Sequence, residues 1–284
     1  MLHIQLVVKL ALLTARVTQR LETIAYAADR ERETAIRRLK TKDTLQTLLQ
    51  TTPNSQLALP PKSAILVTGA TDGIGREAAT MLASLDYAVI LTGRDTHKGH
   101  KAVEYVRASS SASNARVAFV QMEQSSLESV RRAAADVSAA ADAFGVPLRG
   151  LLLNAGVWPQ QKRLTADGIA EALAVNHVSH QLLARELMPT LLNGSGDEAA
   201  RVVTVASSAH AFSAGVETSD PAWDSRRWDA TASYGESKLA NVYFARELAL
   251  RVDAPPRRFS SLAVHPGVVA TSLFREFGGG GAAA

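Results

Sequence analysis

The stretch Gly69-Ala70-Thr71-Asp72-Gly73-Ile74-Gly75 decides the fold. A short apolar run precedes it and a helix-like stretch follows from Arg76. Three glycines at this spacing serve separable purposes. Gly69 permits a tight turn off a strand, Gly73 lets the backbone approach an anion with no Cβ between, and Gly75 lets the next helix pack close to the sheet. The helix start then offers unpaired N–H groups and the positive end of its dipole, so Thr71, Asp72, Ile74 and Arg76 join the glycines as candidate binding residues. Loops collect glycine in any protein. The strand before this turn and the helix after it are what mark it as a phosphate cradle.

Outward from the turn, short apolar runs alternate with longer amphipathic stretches from Ser63 to about Phe277. The runs are apolar throughout, as strands buried on both faces are. They predict strands at Ala64–Thr68, Ala88–Thr92, Val117–Met122, Gly150–Asn154, Arg201–Ala206 and Ser260–Val264, with helices near 73–85, 95–108, 125–143, 167–193 and 232–251. This alternation describes an α/β fold, a Rossmann-type doubly wound parallel sheet over residues 63–277. Residues 1–62 read as an N-terminal helical extension ending in a linker punctuated by Pro53, Asn54, Pro60 and Pro61. Residues 278–284, four glycines and three alanines, read as a loose tail.

The 284-residue chain has a net charge of +4, and residues 1–42, with nine Lys or Arg against four acids, more than account for it. The remainder is near neutral, which leaves no basic stripe for nucleic acid. An apolar stripe runs through Leu6, Leu10, Leu13, Val17, Leu21 and Ile24, and no acid precedes Glu22. The segment is too short and too polar for a membrane span of about 20 apolar residues. Two readings stand equal: a helix packed on its own domain, and a targeting or membrane-contacting helix of mitochondrial or endoplasmic-reticulum type. Localisation is open beyond an intracellular expectation. The chain has no cysteine, which excludes disulfides, thiolate nucleophiles and Cys-type zinc sites.

The end of the second strand bears on the nucleotide. In NAD-binding proteins an acid about 20 residues past the glycine turn grips the ribose 2′-hydroxyl. Gly93 holds that place here, followed by Arg94 and Asp95. Two guanidiniums, Arg76 and Arg94, suit a 2′-phosphate, so NADP(H) is expected in preference to NAD(H). The alternative is that both are solvated surface charges, with Asp95 close enough to pair with Arg94.

Tyr234 and Lys238 stand four apart, neighbours on one face if helical. An ammonium beside a phenol favours the phenolate, and a tyrosine so tuned serves as acid and base near neutral pH. Upstream, Ala206-Ser207-Ser208-Ala209-His210 ends a strand, where open α/β sheets bind ligands, and places Ser208 to bond a substrate oxygen. Singly these are ordinary features: a Tyr–Lys pair is usually helix surface, and Ser-Ser at a strand end is often turn chemistry.

Together they are not ordinary. The glycine turn, Leu153-Asn154-Ala155-Gly156, Asn176, Ser208, Tyr234, Lys238 and Pro266-Gly267-Val268-Val269-Ala270-Thr271 occur in one order. In this the chain resembles the short-chain dehydrogenase/reductase family, over residues 63 to about 277. Leu91–Asp95, Val175–His180 and Ser237–Asn241 carry a likeness to its retinol dehydrogenase and WW-domain oxidoreductase-like group. The resemblance implies an NADP(H)-dependent oxidoreductase acting on a small lipophilic carbonyl or alcohol. Tyr234 would be the general acid/base, Lys238 would tune it and hold the nicotinamide ribose, Ser208 would orient the substrate oxygen, and Asn176 would anchor a proton-supplying water chain. Asn154, Ala155 and Gly156 would flank the adenosine side, Glu123 would stand near the adenine amine, and Pro266, Gly267, Val268 and Thr271 would border the nicotinamide. Leu153 and Gln124 depart from the family's usual residues. Against the family's pattern the sheet is expected to have six strands without the usual seventh, leaving Ser260–Val264 as an edge and the substrate pocket one wall short. Homodimers through the helices near 125–143 and 167–193 are a further implication.

His177, His180, His210 and His265 lie in or near these motifs and read as structural or pocket-edge residues, without a third ligand that would make a metal site. Trp223 and Trp228 either border an apolar substrate or anchor their loop. A second hypothesis from another class remains beside the enzyme: a nucleotide-binding scaffold, or inactive paralogue, that works through partner binding.

Overall fold

Ala64 and Leu66 point to one face of strand β1 (Ala64–Val67), Ile65 and Val67 to the other, and all four are buried. A strand apolar on both faces needs a layer of helices on each side. The computed structural model, which describes residues 59, 62–193, 200–252, 259–267, 269 and 273, supplies both layers. The expected N-terminal helices, linker and Gly/Ala tail lie outside the described residues, as do Val268 and Thr271.

The other strands are β2 (Ala88–Gly93), β3 (Val117–Gln121), β4 (Leu148–Leu153), β5 (Ala200–Val205) and β6 (Phe259–Val264). They form one parallel sheet in the order β3-β2-β1-β4-β5-β6, with β3 and β6 at its two ends among the described residues. Helices α1 (Gly73–Ser84) and α2 (Thr96–Ser109) pack on the Ile65/Val67 face. Helices α3 (Leu127–Ala143), α5 (Ser179–Asn193) and α6 (Ala230–Val252) pack on the Ala64/Leu66 face. Asp72, Asp95 and Ser126 cap α1, α2 and α3 with their side chains, each cap contributing about 1 kcal/mol. Strand order reverses between β1 and β4, and the crevice beyond their carboxyl ends is where such sheets bind ligands.

The stretch expected as one helix over 167–193 is instead a short α4 (Glu171–Leu173), a π turn (Ala174–Val178) and then α5. Side chains explain the widened turn. Ser179 Oγ donates to the Val175 carbonyl at 2.8 Å, and His180 Nδ1 bonds the Asn176 carbonyl at 3.0 Å. Such local bonds compete with the backbone ladder for its carbonyls. The π turn places Val175 at the wall of the crevice with Asn176 buried behind it, and single-turn π segments commonly mark functional sites.

His180 is fully buried and joins four elements. Its Nε2 lies 2.8 Å from Thr68 Oγ1, at the end of β1, and 2.9 Å from Gln124 Nε2, after β3. Thr68 Oγ1 accepts the backbone N–H groups of Asn154 and Ala155, after β4, so its own proton goes to the imidazole. The ring is therefore neutral with its proton on Nδ1. Burial is the main cause that pushes its pKa down to about 3, and the Asn176 carbonyl opposes it. The folded value lies below the ordinary 6.5, so the unfolded chain takes up the extra proton. Stability from this group is then full above about pH 6.5 and lost as pH falls toward 3, by up to about 1.4 kcal/mol per unit. We expect urea unfolding between pH 7 and 5 to show that slope, and His180→Asn to make it shallower by about one proton.

Candidate active site

Gly69 adopts a positive φ of 61°, and a Cβ there would meet the Cα and Cβ of Ala155 at 2.8 Å. A Cβ on Gly75 would lie 2.5 Å from the Gly69 carbonyl oxygen and 2.6 Å from Asn154 Nδ2. The turn therefore folds only because these positions lack side chains. Asn154 closes it, donating from Nδ2 to the Thr68 carbonyl at 2.9 Å. A cleft of about 1120 Å³ opens above, lined by Gly69, Thr71, Asp72, Gly73, Ile74 and Arg76 at one end and by Ser207, Tyr234 and Lys238 at the other. Asn154, Ala155, Gly156, Pro266 and Gly267 lie along it. Among the described residues, the sequence-expected ones thus converge on one cavity, save Gly75, which packs beneath, and Asn176, whose side chain works from behind.

The polar end carries Arg76, Arg94, Lys98 and Lys101. Arg76 lies 4.1 Å over the Tyr105 ring, and its Nη2 is 3.4 Å from Glu77. Arg94 forms no ion pair with any described residue. The Asp95 carboxylate instead caps α2 by accepting the Lys98 N–H at 2.9 Å, and that bond holds its pKa below the usual carboxylate range. Glu123 accepts the N–H and hydroxyl of Ser125, so its carboxylate is engaged at the cleft edge. Lys98, Lys101 and Tyr105 were missed in the sequence, although their spacing of three and four on one helix face after β2 was a usable signal.

At the other end, Ser207, Ser208, Tyr234 and Lys238 line the cleft. The sequence pointed to Ser208, which starts a 3₁₀ turn (Ser208–Phe212) and is exposed at the cleft; Ser207 beside it is half-buried, caps the turn, and its side chain acts on Tyr234 to lower its pKa. Lys238 Nζ donates to the Val205 carbonyl at 3.0 Å and sits 5.5 Å from the Tyr234 ring centroid. Burial pushes the Tyr234 pKa up, and the Ser207 side chain only partly opposes it. Burial also lowers Lys238 to about 8. Desolvation is the largest influence on both groups. Asn176 is wholly buried, its Oδ1 accepting the Val157 N–H at 2.7 Å and its Nδ2 donating to the Val157 carbonyl and Ser237 Oγ.

Trp223 and Trp228 anchor their loop rather than line the cleft. Their rings meet edge-on at 5.4 Å, and Arg226 covers Trp223 at 4.0 Å while bonding Asp220 and the buried Glu236. His177 bonds Asn241, His210 bonds the Ser207 carbonyl, and His265 lines the cleft. Among the described residues no group of three or more acids or histidines is arranged to hold a metal, and no helix is long and apolar enough to cross a membrane.

This fold and this cleft define a class, and the comparisons agree: the chain belongs to the short chain dehydrogenase family, whose model matches residues 63–279. It is 38% identical over 223 residues to a mouse polyprenol dehydrogenase, covering 78% of this chain and 64% of that protein. It is 35% identical to human retinol dehydrogenase 12, covering 76% of this chain and 64% of that protein. The chain therefore spans just under two thirds of these relatives' length. A short chain dehydrogenase from Burkholderia cenocepacia in complex with NADP superposes with a TM-score of 0.57 at 27% identity, covering 76% of this chain and 77% of that one. One from Burkholderia phymatum in complex with NAD gives 0.56 at 26%, covering 72% and 66%.

Gly75→Ala should therefore cripple the cradle without unfolding the sheet. Overpacking of this kind costs about 1–3 kcal/mol, roughly tenfold or more in the Kd for NADPH by fluorescence titration, with far-ultraviolet circular dichroism unchanged.

Proposed function

We propose that the chain is an NADP(H)-dependent oxidoreductase that interconverts a lipophilic alcohol and its carbonyl. One observation carries this reading: a single cleft holds the glycine cradle at one end and Ser207, Tyr234 and Lys238 at the other. The cradle fits a dinucleotide, since its backbone approaches where any Cβ would collide and α1 begins at its floor. The bound nucleotide would supply hydride transfer, and the protein's share is binding, orientation and proton handling.

Gly69, Thr71, Asp72, Gly73 and Ile74 would hold the pyrophosphate, and Asn154, Ala155 and Gly156 the adenosine side. Arg94, free of described ion pairs, and Arg76, braced on Tyr105, favour a 2′-phosphate, with Lys98 and Lys101 adding charge at the same end. Tyr234 would give its phenolic proton to the carbonyl oxygen in reduction and take it back in oxidation. A phenol kept protonated by burial suits the donor role. Ser207, rather than Ser208, would orient that oxygen. Lys238 would hold the nicotinamide ribose and stabilise the phenolate when it forms. The lipophilic substrate class rests on the relatives named for polyprenol and retinol, and on Trp158, Val157 and the exposed Phe212 along the cleft.

Turnover of NADPH with a panel of aliphatic and conjugated aldehydes tests the reading. Tyr234→Phe should abolish it. Ser207→Ala should lower kcat about a hundredfold, whereas Ser208→Ala should stay within about threefold. Arg94→Ala should raise the KM for NADPH about tenfold and leave that for NADH nearly unchanged. Tight NADPH binding with no turnover of any carbonyl would favour the scaffold hypothesis instead.

A further inference from the structure

Trp158 lies four residues past Asn154, at a position that nothing in the sequence singles out. Its indole stacks on the Tyr234 phenol with ring centroids 4.3 Å apart and planes within 7°. The indole N–H donates to the Ala230 carbonyl at 3.1 Å, at the start of the helix that carries Tyr234. One residue earlier, the Asn176 amide binds both the N–H and the carbonyl of Val157, at 2.7 and 3.0 Å. The same amide donates to Ser237 Oγ at 2.9 Å, and Ser237 Oγ donates to the Tyr234 carbonyl at 2.7 Å. Both members of the stack therefore hang on one buried amide. The indole is held at its backbone, at its N–H and across its face.

We infer that Trp158 is a positioning residue for Tyr234: it fixes the plane of the phenol, aims its hydroxyl toward Ser207 and the cleft, and keeps water off the stacked face. Nothing in the assigned roles of the cradle or of the Ser207–Tyr234–Lys238 set provides this. A phenol hinged only at its Cα would swing about χ1 and carry its hydroxyl with it, and a proton donor out of line with its acceptor loses rate steeply. The flat contact removes that freedom. It also adds to the burial that holds the phenol protonated. Besides Tyr234, the charged and titratable groups are Glu236, Lys238, Tyr243, Arg246, Glu247 and Arg251 on α6 itself, and, on the elements packed against it, Arg201 of β5, His210 from the 3₁₀ turn, His177 from the π turn and Glu171 of α4, which is paired with Arg163; His265 follows β6. None of these belongs to the stack, so removing the indole leaves the charges in place.

The inference rests on the reading of Tyr234 as the acid, and the test separates the two. Tyrosinate absorbance is titrated in the full chain, with the Tyr234 step defined by difference against Tyr234→Phe. Trp158→Leu and Trp158→Met fill space without a ring, and Trp158→Phe restores one. NADPH binding confirms that each variant is folded. In the Leu and Met variants the Tyr234 step should move to lower pH, and kcat for aldehyde reduction should fall about tenfold with little change in the aldehyde KM. Trp158→Phe should recover most of both. An unmoved step with unchanged kcat overturns the inference. So does a rise in KM alone, which would make Trp158 only a wall for substrate. If wild type and Tyr234→Phe reduce aldehydes equally well, the proposed function falls, while the absorbance titration still decides whether Trp158 holds the phenol.

Discussion

The Thr68 hydroxyl takes the backbone N–H groups of Asn154 and Ala155 and gives its own proton to His180, and the site depends on that one arrangement. It draws the ends of β1 and β4 together at the point where strand order reverses, so that Gly69 passes Ala155 with no room for a side chain. His180 extends the grip to Gln124 after β3 and to the carbonyl of Asn176 in the π turn. In a dry interior such a network is costly unless each member is satisfied, and here each donor meets an acceptor. The crevice is rigid because its rim is tied from below.

Burial sets the chemistry above that base. Tyr234 and Lys238 are both held toward their uncharged forms by desolvation, and the Ser207 side chain offsets it in part at Tyr234. A neutral phenol awaiting an acceptor is a sensible resting state for a proton donor. At the far end the reverse holds. Arg94, Lys98 and Lys101 are exposed and form no ion pair with a described residue, while Asp95 spends its carboxylate on capping α2. A charged nucleotide and an apolar substrate would thus meet opposite ends of one cleft, each with the electrostatics it requires.

Much of this was legible in the sequence. Every strand lies within two residues of its expected place, since a strand buried on both faces must be apolar throughout and the helices between must not be. The glycine turn was legible because steric exclusion leaves one residue type. The helix over 167–193 was drawn unbroken because nothing in its period announces that Ser179 and His180 will claim the carbonyls of Val175 and Asn176. Trp223 and Trp228 kept two readings until the loop's path placed Arg226 over one of them.

The sequence by itself determined the layers, the strand positions, the phosphate cradle and the Tyr–Lys pair, all of which follow from local periodicity, sterics or fixed spacing. Only the tertiary structure decided that Tyr234 and Lys238 are both deeply buried, that Asp95 caps a helix rather than pairing with Arg94, and that Trp158 stacks on Tyr234. Each of these depends on groups distant along the chain arriving within a few ångströms of one another. Both hydrogen bonding and desolvation act over that range, and neither leaves a mark on neighbouring residues in the sequence.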